Sequence, residues 1–472
     1  MGRRGHEHMA PLGRHGVGLL FMTLLALGCL LVGAGVASAR IDDPDAEPSW
    51  AFFLTGSAAG GDNALDVAVT TKATWVAGQV YDGAVNELDA SLARIPAGSS
   101  AQPTVQTWNS TADDNDANYA VAARGSHVYT AGATRNAADN LDLTVIRWSS
   151  STGAFTWVRR YARAAGKDDI ATDVVIDSGG NAIVCGTTEN AAEFTAWVVR
   201  KYSSAGKLRW TWTYDGSAAH ADAPVEMVVD SRDNIYVTGS TQQDSPSGPD
   251  TVSGCYTLKL SPKGAKLWAK SYKGPNILTS AGTAIARCPS GGVYVGGHTQ
   301  INATAKDCFL LRYAADGRRT VFERPLVMGS VENSVNDLAV ASNGRIYAVG
   351  QRVIANQNRA NPIYVMWNPS GTHDDTVEYF SDDEDAWEAV ATDAHGGVYM
   401  TGFFDLTTTV NPNIRTMRRS VLSEGGTWTS DYSPNGYNRE VNALAVGGLT
   451  CAVVGRQYNG ADYDQYVHIW TY

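Results

Sequence analysis

The chain has 472 residues, and its 37 Lys and Arg against 48 Asp and Glu give a formal net charge of −11. This excess of acid argues against nucleic acid and anionic membrane surfaces as partners, since both require a basic face on the protein. It suits an exported protein that binds cations or polar neutral ligands.

The amino-terminal segment 1–39 has the features of a signal peptide. Basic residues precede an apolar stretch from 17 to 36, and Ala37-Ser38-Ala39 has the small-x-small pattern of a cleavage site. We expect cleavage before Arg40 and a secreted product, in the periplasm, at the cell surface or outside the cell, with no membrane contact afterwards. An uncleaved membrane anchor is the alternative, because the apolar run is nearly long enough to span a bilayer.

A glycine then recurs at the end of strand-like segments, with successive gaps of 54, 54, 53, 58, 53, 52 and 53 residues. A period this regular indicates one supersecondary unit copied eight times. The eight marker glycines are Gly78, Gly132, Gly186, Gly239, Gly297, Gly350, Gly402 and Gly455.

Each repeat predicts four short antiparallel strands, a to d. Strand b is a β-branched or aromatic run that ends at the glycine, as in 235–238, and strand a is an apolar run about ten residues earlier, as in 227–229. Turns such as 230–234 join a to b and have the Asp, Asn and Gly of hairpins. Strands c and d follow, as in 256–260 and 264–268.

Four strands repeated eight times predict an all-β, eight-bladed β-propeller of four-stranded antiparallel blades. The last repeat stops after strand c at 465–470, and the missing strand stands at 50–55, so we expect these two segments to pair and close the ring. A single domain thus spans 40–472. Its blades are predicted at about 62–109, 115–161, 168–214, 221–272, 279–326, 332–380, 384–432 and 437–472.

The repeat resembles the bacterial β-propeller repeat usually called the SBBP type. The matching residues are Val-Val-Asp-Ser-Arg-Asp-Asn-Ile-Tyr-Val-Thr-Gly-Ser-Thr at 228–241 and Leu-Lys-Leu-Ser-Pro-Lys-Gly at 258–264, followed by Trp268 and Tyr272. The resemblance covers essentially all of 50–472. It implies a secreted or surface propeller, and it supplies no catalytic residues.

The loops between strands b and c vary in length, and they share one face of a propeller with the d–a links between blades. Variable loops on a rigid scaffold commonly carry recognition, so we expect a binding site on that face, at the mouth of the central channel. The loops are 79–89, 133–142, 187–195, 240–254, 298–307, 351–361, 403–413 and 456–464.

A polar residue stands 16 or 17 positions before each marker glycine. One interpretation is a ring that binds a cation or a polyol at the channel mouth, because hard cations need several oxygen ligands. The other is a turn device, in which each side chain accepts hydrogen bonds from backbone N–H groups. The positions are Asp62, Asp116, Asp169, Asp222, Ser280, Asn333, Asp385 and Asn438.

Trp387, Phe403 and Phe404 fall in one repeat on the same predicted face. They are candidates for an apolar platform that would receive a sugar ring or a peptide, and the alternative is that they cover the channel rim. In contrast, Trp148, Trp197, Trp210, Trp268 and Trp470 occur in strand segments and are expected to pack within blades.

No catalytic motif is present: HExxH, GxSxG and the P-loop are all absent. A Gly-Lys-x-x-Trp turn at 206–210 resembles those of quinoprotein dehydrogenases, but the adjacent Cys pair expected near that cofactor is missing. Five Cys lie beyond the signal segment, scattered and without CxxC spacing, so most are expected to be buried and apolar in character.

We therefore expect a non-enzymatic binding scaffold without a cofactor, a monomer whose partner is a protein or a polysaccharide. The alternative is an extracellular hydrolase or lyase that uses carboxylates at the channel mouth, with or without bound Ca²⁺.

Overall fold

The structure is a computed structural model. It describes residues 48–54, 61–81, 88–110, 115–192, 194–216, 220–244, 251–274, 279–302, 305–322, 330–354, 360–378, 385–404, 413–420, 428–432, 439–448, 450–458 and 463–471. Within these ranges, no helix has the length and apolar character needed to cross a bilayer. The predicted signal segment lies outside them.

The described residues form 32 strands, which we group in eight units. Strand β1 is Trp50–Leu54. Unit 1 contains β2 (Asn63–Val69), β3 (Ala73–Tyr81), β4 (Leu88–Pro96) and β5 (Thr104–Trp108). Unit 2 contains β6 (Asp116–Arg124), β7 (His127–Arg135), β8 (Leu141–Ser149) and β9 (Phe155–Tyr161). Unit 3 contains β10 (Asp169–Ile176), β11 (Ala182–Glu189), β12 (Thr195–Tyr202) and β13 (Leu208–Tyr214). Unit 4 contains β14 (Asp222–Val229), β15 (Ile235–Asp244), β16 (Thr251–Leu260) and β17 (Lys266–Tyr272).

The second half of the chain repeats this order. Unit 5 contains β18 (Ser280–Arg287), β19 (Val293–Gln300), β20 (Lys306–Tyr313) and β21 (Arg319–Phe322). Unit 6 contains β22 (Ser330–Val340), β23 (Ile346–Ile354), β24 (Ala360–Trp367) and β25 (His373–Glu378). Unit 7 contains β26 (Ala386–Thr392), β27 (Gly397–Phe404), β28 (Asn413–Ser420) and β29 (Trp428–Tyr432). Unit 8 contains β30 (Arg439–Gly447), β31 (Thr450–Tyr458) and β32 (Tyr463–Thr471).

Each unit is an antiparallel sheet whose strands pair in chain order. Units 5 and 6 also touch through a single parallel bridge between Lys306 and Glu332. The fourth strand of unit 8 is β1, which pairs antiparallel with β32 from Trp50↔Ile469 to Leu54↔Gln465. The predicted pairing of the two ends of the chain is confirmed over these residues.

The marker glycines have a steric cause. In all eight units the first strand carries a β-bulge opposite the glycine, so that one residue of the first strand is left without a partner in the second. In unit 3, Ala171 pairs with Gly186 and Asp173 with Cys185, leaving Thr172 in the bulge. The backbone carbonyl of Ile170 occupies the space that a Cβ on Gly186 would need. The same clash with a first-strand carbonyl recurs at the other seven glycines, which explains the period of the sequence.

The core consists of eight apolar clusters, and each cluster joins two consecutive units. One of them joins unit 8 to unit 1: Val67 and Val76 pack with Val454, Val467 and Ile469. The two ends of the chain are therefore connected by side-chain packing as well as by strand pairing.

Tryptophans on the fourth strands add a polar contact between units. The indole N–H of Trp210 in unit 3 donates to the carbonyl of Pro262 in unit 4, at 3.1 Å, and Trp268 donates to Ala315 of unit 5, at 3.2 Å. Each ring lies against the glycine of the next unit's turn, Gly264 or Gly317, both with positive φ. The Gly-Lys-x-x-Trp pattern thus serves packing between units. Trp148, Trp197 and Trp470 are buried within the strands, as predicted.

The cysteines are structural. Within the described residues, all five are free thiols and buried, as the sequence suggested for most of them. They are Cys185, Cys255, Cys288, Cys308 and Cys451.

Replacing Gly186 by Ala tests the role of the marker glycines. The added Cβ would overlap the Ile170 carbonyl, so the bulge or the strand pair must shift, and we expect the free energy of unfolding to fall by about 3 kcal/mol. Urea denaturation measures the change. The control is Gly61→Ala, where a Cβ meets nothing within 4 Å. Equal stability of the two variants would contradict the steric explanation.

Candidate ligand-binding site

The structure contains a cavity of about 630 Å³, lined by the carboxyl-terminal halves of several first strands and by the turns that follow them. We call it the inner cavity. Its walls are mostly aliphatic, and no aromatic side chain lines it within the described part of the chain. Wall residues include Val69, Val121, Val175, Ile176, Met227 and Val229.

One of the turns at the cavity mouth is a predicted Asp hairpin, and turns of the same kind follow the first strands of units 3 and 4. Asp393 accepts hydrogen bonds from the backbone N–H groups of His395 and Gly397, at 2.8 and 2.6 Å. Asp177 and Asp230 do the same in units 3 and 4. These turns fix the position of the residues around the mouth.

Four basic side chains line the cavity on this turn side, together with the carboxylate of Asp393. Lys72 and His395 are exposed, whereas Arg124 and Arg287 are partly buried. Burial lowers the pKa of Arg287; the charge of Asp230 raises it and that of Arg124 lowers it. An arginine nevertheless stays charged in proteins. The side chain of Arg287 makes no ion pair or hydrogen bond within the described ranges. Its guanidinium can therefore receive an anionic group of a ligand.

Deeper in the structure, four units carry an acidic residue at the same place, directly after the bulge. Each pairs with the residue that precedes the marker glycine of its unit. We call Asp66, Asp173, Glu226 and Asp337 the bridging carboxylates. Asp66, Glu226 and Asp337 are at most 5% exposed, whereas Asp173 is partly buried. Asp66 and Asp173 line the inner cavity.

The bridging carboxylates join neighbouring units. Asp66 accepts from the N–H of Val67 in its own strand, at 2.8 Å, and from that of Val121 in unit 2, at 2.7 Å. Asp173 spans units 3 and 4 in the same way, through Val174 and Met227. Asp337 spans units 6 and 7, through the N–H groups of Leu338 and Val390. Hydrogen bonds to a charged acceptor contribute about 1.5–3 kcal/mol each, so these residues stabilise the contacts between units.

Glu226 differs from the other three. Its Oε2 accepts from the N–H of Ile285 in unit 5, at 2.9 Å, but its Oε1 has no hydrogen-bond partner among the described residues. Only 5% of the residue is exposed. Burial, followed by the negative charges of Asp337, Asp173 and Asp66, raises the pKa of Glu226 well above its usual value. These charges belong to units 6, 3 and 1, so Glu226 interacts with carboxylates from both sides of it along the chain.

Units 5 and 8 make neutral versions of this contact from the bulge residue itself, and unit 6 adds one beside Asp337. The hydroxyl of Thr283 donates to the backbone carbonyl of Val335 at 2.6 Å. The side-chain amide of Asn442 donates to the backbone carbonyl of Ala64, also at 2.6 Å. The amide of Asn336 donates to the carbonyl of Trp387 and to Oε2 of Glu388. Burial raises the pKa of Glu388 to about 7; the Asn336 hydrogen bond opposes the shift and the Asp337 charge adds to it.

The predicted ring of linker residues lies at the opposite end of the first strands from the cavity mouth. Asp116 accepts from the N–H groups of Ser110 and Arg135, at 2.5 and 3.0 Å, and Asp222 accepts from Gly216 and Gln242, at 2.7 and 3.0 Å. Asp62 and Asp169 accept from Tyr81 and Arg163. The turn interpretation is confirmed for these four, which are at most 1% exposed. These hydrogen bonds account for the recurrence of Asp without a ligand.

The other members of the ring are less uniform. Ser280 exchanges a hydrogen bond with Thr299, at 2.8 Å, and the amide of Asn333 donates to Asp307 at 3.4 Å. Asp385 is buried, and its backbone N–H donates to Ala360. Asn438 lies outside the described residues, as do large parts of the b–c loops.

The predicted aromatic platform requires a correction. Trp387 is fully buried and Phe404 is 2% exposed, and their rings meet edge to face with centroids 4.6 Å apart. Both belong to the apolar cluster between units 6 and 7. Only Phe403 is partly accessible. These residues fill the core because strands β26 and β27 extend through positions that the sequence placed in loops.

Among the described residues, no group of three or more His, Cys, Asp or Glu side chains is arranged to hold a metal ion. The five cysteines lie in four units, with Cys288 and Cys308 both in unit 5, and none of them is adjacent to another in the sequence.

No protein-family model matches the chain, and no curated protein matches it. Its structure is similar to that of the quinohemoprotein alcohol dehydrogenase from Comamonas testosteroni, with a TM-score of 0.57 and 11% identity, over 92% of this chain and 78% of that one. The polysaccharide lyase Uly1 gives a TM-score of 0.47 at 10% identity, over 78% of this chain and 92% of that one. The β-propeller domain of the Trilobed protease from Pyrococcus furiosus gives 0.44 at 10% identity, over 74% and 93%. At such identities the likeness concerns the fold alone, which is all-β and propeller-like.

The buried acid Glu388 predicts a pH-dependent stability. Since its folded-state pKa is raised from 4.5 to about 7, the folded protein keeps a proton that the unfolded chain releases, and stability falls as the pH rises through this range. Glu388→Gln should remove this contribution, so the variant gains up to about 3 kcal/mol over the wild type at pH 7.5 and little at pH 4.5. Urea denaturation at both values of pH measures the difference. Glu332→Gln, at an exposed ion pair with Lys306, is the control. The same pH profile in wild type and Glu388→Gln would refute the prediction.

Proposed function

We propose that the chain is an exported, closed eight-bladed β-propeller that binds a ligand in its inner cavity without transforming it. Three features support the ring: eight four-stranded units, the completion of unit 8 by β1, and the apolar cluster between units 8 and 1. In such a ring the first strands surround the axis, and the inner cavity is the half of the central channel that opens among the a–b turns.

The observation that carries the proposal is the composition of the inner cavity. It combines aliphatic walls with Arg124 and Arg287 on the turn side, and a cavity with apolar walls and a few convergent polar groups is the usual form of a ligand site. Its volume of about 630 Å³ lies within the range of small-molecule sites. The ligand therefore carries an anionic group, most simply a carboxylate, that pairs with the guanidinium of Arg287.

This location differs from the b–c and d–a loop face that the sequence favours. The linker residues of that face have their carboxylates committed to backbone N–H groups, and Trp387 and Phe404 are in the core. The aliphatic walls also favour a peptide or another aliphatic ligand over a polysaccharide, which would use an aromatic platform.

Binding is favoured over catalysis because the carboxylates near the cavity are structural. Asp66 and Asp173 each accept backbone hydrogen bonds from two units, which fixes their position and uses their oxygens. A hydrolase or lyase requires one acid and one base free to exchange protons with the substrate. Among the described residues that line the cavity, Asp393 accepts backbone hydrogen bonds in the same way, which again favours binding.

A fluorine-detected NMR screen of small fragments tests the proposal. We expect carboxylate-bearing fragments to bind the wild type and to lose at least ten-fold in affinity in Arg287→Met, because the charge-assisted hydrogen bonds are removed while the aliphatic stem stays. Arg232→Met is the matched control, since Arg232 is an exposed arginine of a neighbouring a–b turn and does not line the cavity.

Absence of any bound carboxylate fragment, or equal binding by Arg287→Met and the wild type, would overturn this function. Consumption of a fragment during the screen would instead support the enzymatic alternative.

A further inference from the structure

We propose that the edge formed by the fourth strands of units 3 and 4 binds an extended acidic peptide with aliphatic side chains, which pairs as an additional strand beside β17. The surface consists of β13, β17 and the turns that precede them, and we call it the basic edge. None of its described residues lines the inner cavity. The inference therefore adds a second site to the one in the proposed function.

The basic edge carries positive charge in a chain whose net charge is −11. Residues 195–214 and 251–272 each contain four Lys or Arg and no Asp or Glu. Arg200, Lys201 and Lys259 of this set are buried, and the other five are exposed. Within the described ranges, the side chains of these five make no ion pair or hydrogen bond. Carboxylates of a partner can therefore reach them without breaking an existing ion pair. The five are Lys207, Arg209, Lys263, Lys266 and Lys270.

Exposed apolar side chains lie on the same strands and are an independent sign of a binding surface. Among the described residues, the large apolar side chains that are exposed are Phe155, Leu208 and Leu267, at 47%, 42% and 51%. They belong to the fourth strands of three consecutive units, and each stands one or two residues before the tryptophan that donates to the next unit. Lysine alone is typical of a protected strand edge, whereas apolar and cationic side chains together are typical of a surface that binds a partner.

The backbone of the basic edge is also available for pairing. Within the described residues, β17 pairs only with β16, and β13 pairs only with β12. A bulge leaves Leu267 without a partner in β16, but 268–272 keep a regular register, with Lys270 at their centre. A regular edge presents N–H and C=O groups at the spacing of an extended polypeptide, which can add to it as a strand.

The aromatic residues favour a peptide over an acidic polysaccharide. A sugar would need the open face of an aromatic ring, but the rings of Trp210 and Trp268 lie against the turn glycines of the next unit. Leu208 and Leu267 instead offer aliphatic contacts, which suit Val, Ile or Leu. Because side chains alternate along a strand, a peptide that alternates acidic and aliphatic residues would place its carboxylates on one face, beside Lys270.

The test is fluorescence polarisation of labelled peptides with the purified full chain. The probe has seven residues, as β17 does, and alternates Glu with Val. We expect it to bind at least ten-fold more tightly than peptides with Gln in place of Glu or Ser in place of Val. Its affinity should fall as NaCl is raised from 50 to 300 mM, because the charges are exposed to solvent. N-methylation of either the Glu or the Val residues blocks one edge of the peptide, so one of the two methylated peptides should lose binding and the other should keep it.

Paired substitutions identify the surface. The double variant Lys266→Gln, Lys270→Gln should lose at least ten-fold in affinity for the probe, and Leu267→Ser at least three-fold. The control is Arg232→Gln, Lys306→Gln, which removes the same charge from residues outside the basic edge and should bind the probe as the wild type does. Circular dichroism verifies the fold of each variant. All of them should bind carboxylate fragments in the inner cavity as the wild type does, so the two sites are tested separately.

Equal binding of the Glu and Gln peptides, or unchanged binding by the Lys266→Gln, Lys270→Gln variant, would overturn the inference. Binding of dextran sulfate or a DNA oligonucleotide that this variant abolishes, without binding of the probe, would overturn it in favour of another class of polyanion. Failure of every compound to bind would also overturn it, and the lysines and the bulge would then serve only to protect the edge from aggregation.

Discussion

The contact between each marker glycine and a backbone carbonyl of the first strand is the constraint on which the other features depend. A Cβ at these positions would overlap the carbonyl, so only glycine permits the bulge in the first strand at its observed place. The bulge adds one residue to the first strand and shifts the register beyond it. The residue that follows the bulge can then reach a backbone N–H group of the next unit. Local backbone geometry thus determines where polar contacts between units form.

The bridging carboxylates stabilise the contacts between units at a cost in buried charge. Each one supplies charged acceptors for N–H groups that strand pairing leaves unused beside a bulge. The cost is the burial of the acids and, after it, their mutual repulsion, which together raise the pKa of Glu226. The other four units avoid that cost with alanine at the same register, namely Ala120, Ala284, Ala389 and Ala443.

The sequence predicted the parts of the structure that repeat. Strand order, hairpin turns and the pairing of Trp50–Leu54 with β32 all follow from a period of about 53 residues and from turn chemistry. The period also located the Asp linkers, but it left open whether they bind a ligand or stabilise a turn. The location of the cavity was not predictable in this way, because loop length says nothing about which half of a channel is open. Trp387 and Phe404 were assigned to the surface because the limits of β26 and β27 cannot be read from the pattern.

The bridging carboxylates left a signal that was available. An acidic residue directly precedes the apolar run of the first strand in four repeats, in Asp66-Val67, Asp173-Val174, Glu226-Met227 and Asp337-Leu338. A charge at the start of an apolar run is easily taken for the end of a solvated turn. The acidic residue is buried because the bulge turns it toward the neighbouring unit. A bulge is a property of strand pairing, so the sequence of a single strand does not reveal it.

The electrostatic arrangement along the inner cavity also explains why a protein with a net charge of −11 would carry arginines there. Burial disfavours the charged form of Arg287, the charge of Asp230 favours it, and the charge of Arg124 disfavours it. A ligand carboxylate that pairs with the guanidinium of Arg287 would offset this cost, which is the physical reason that the proposed site favours an anionic group.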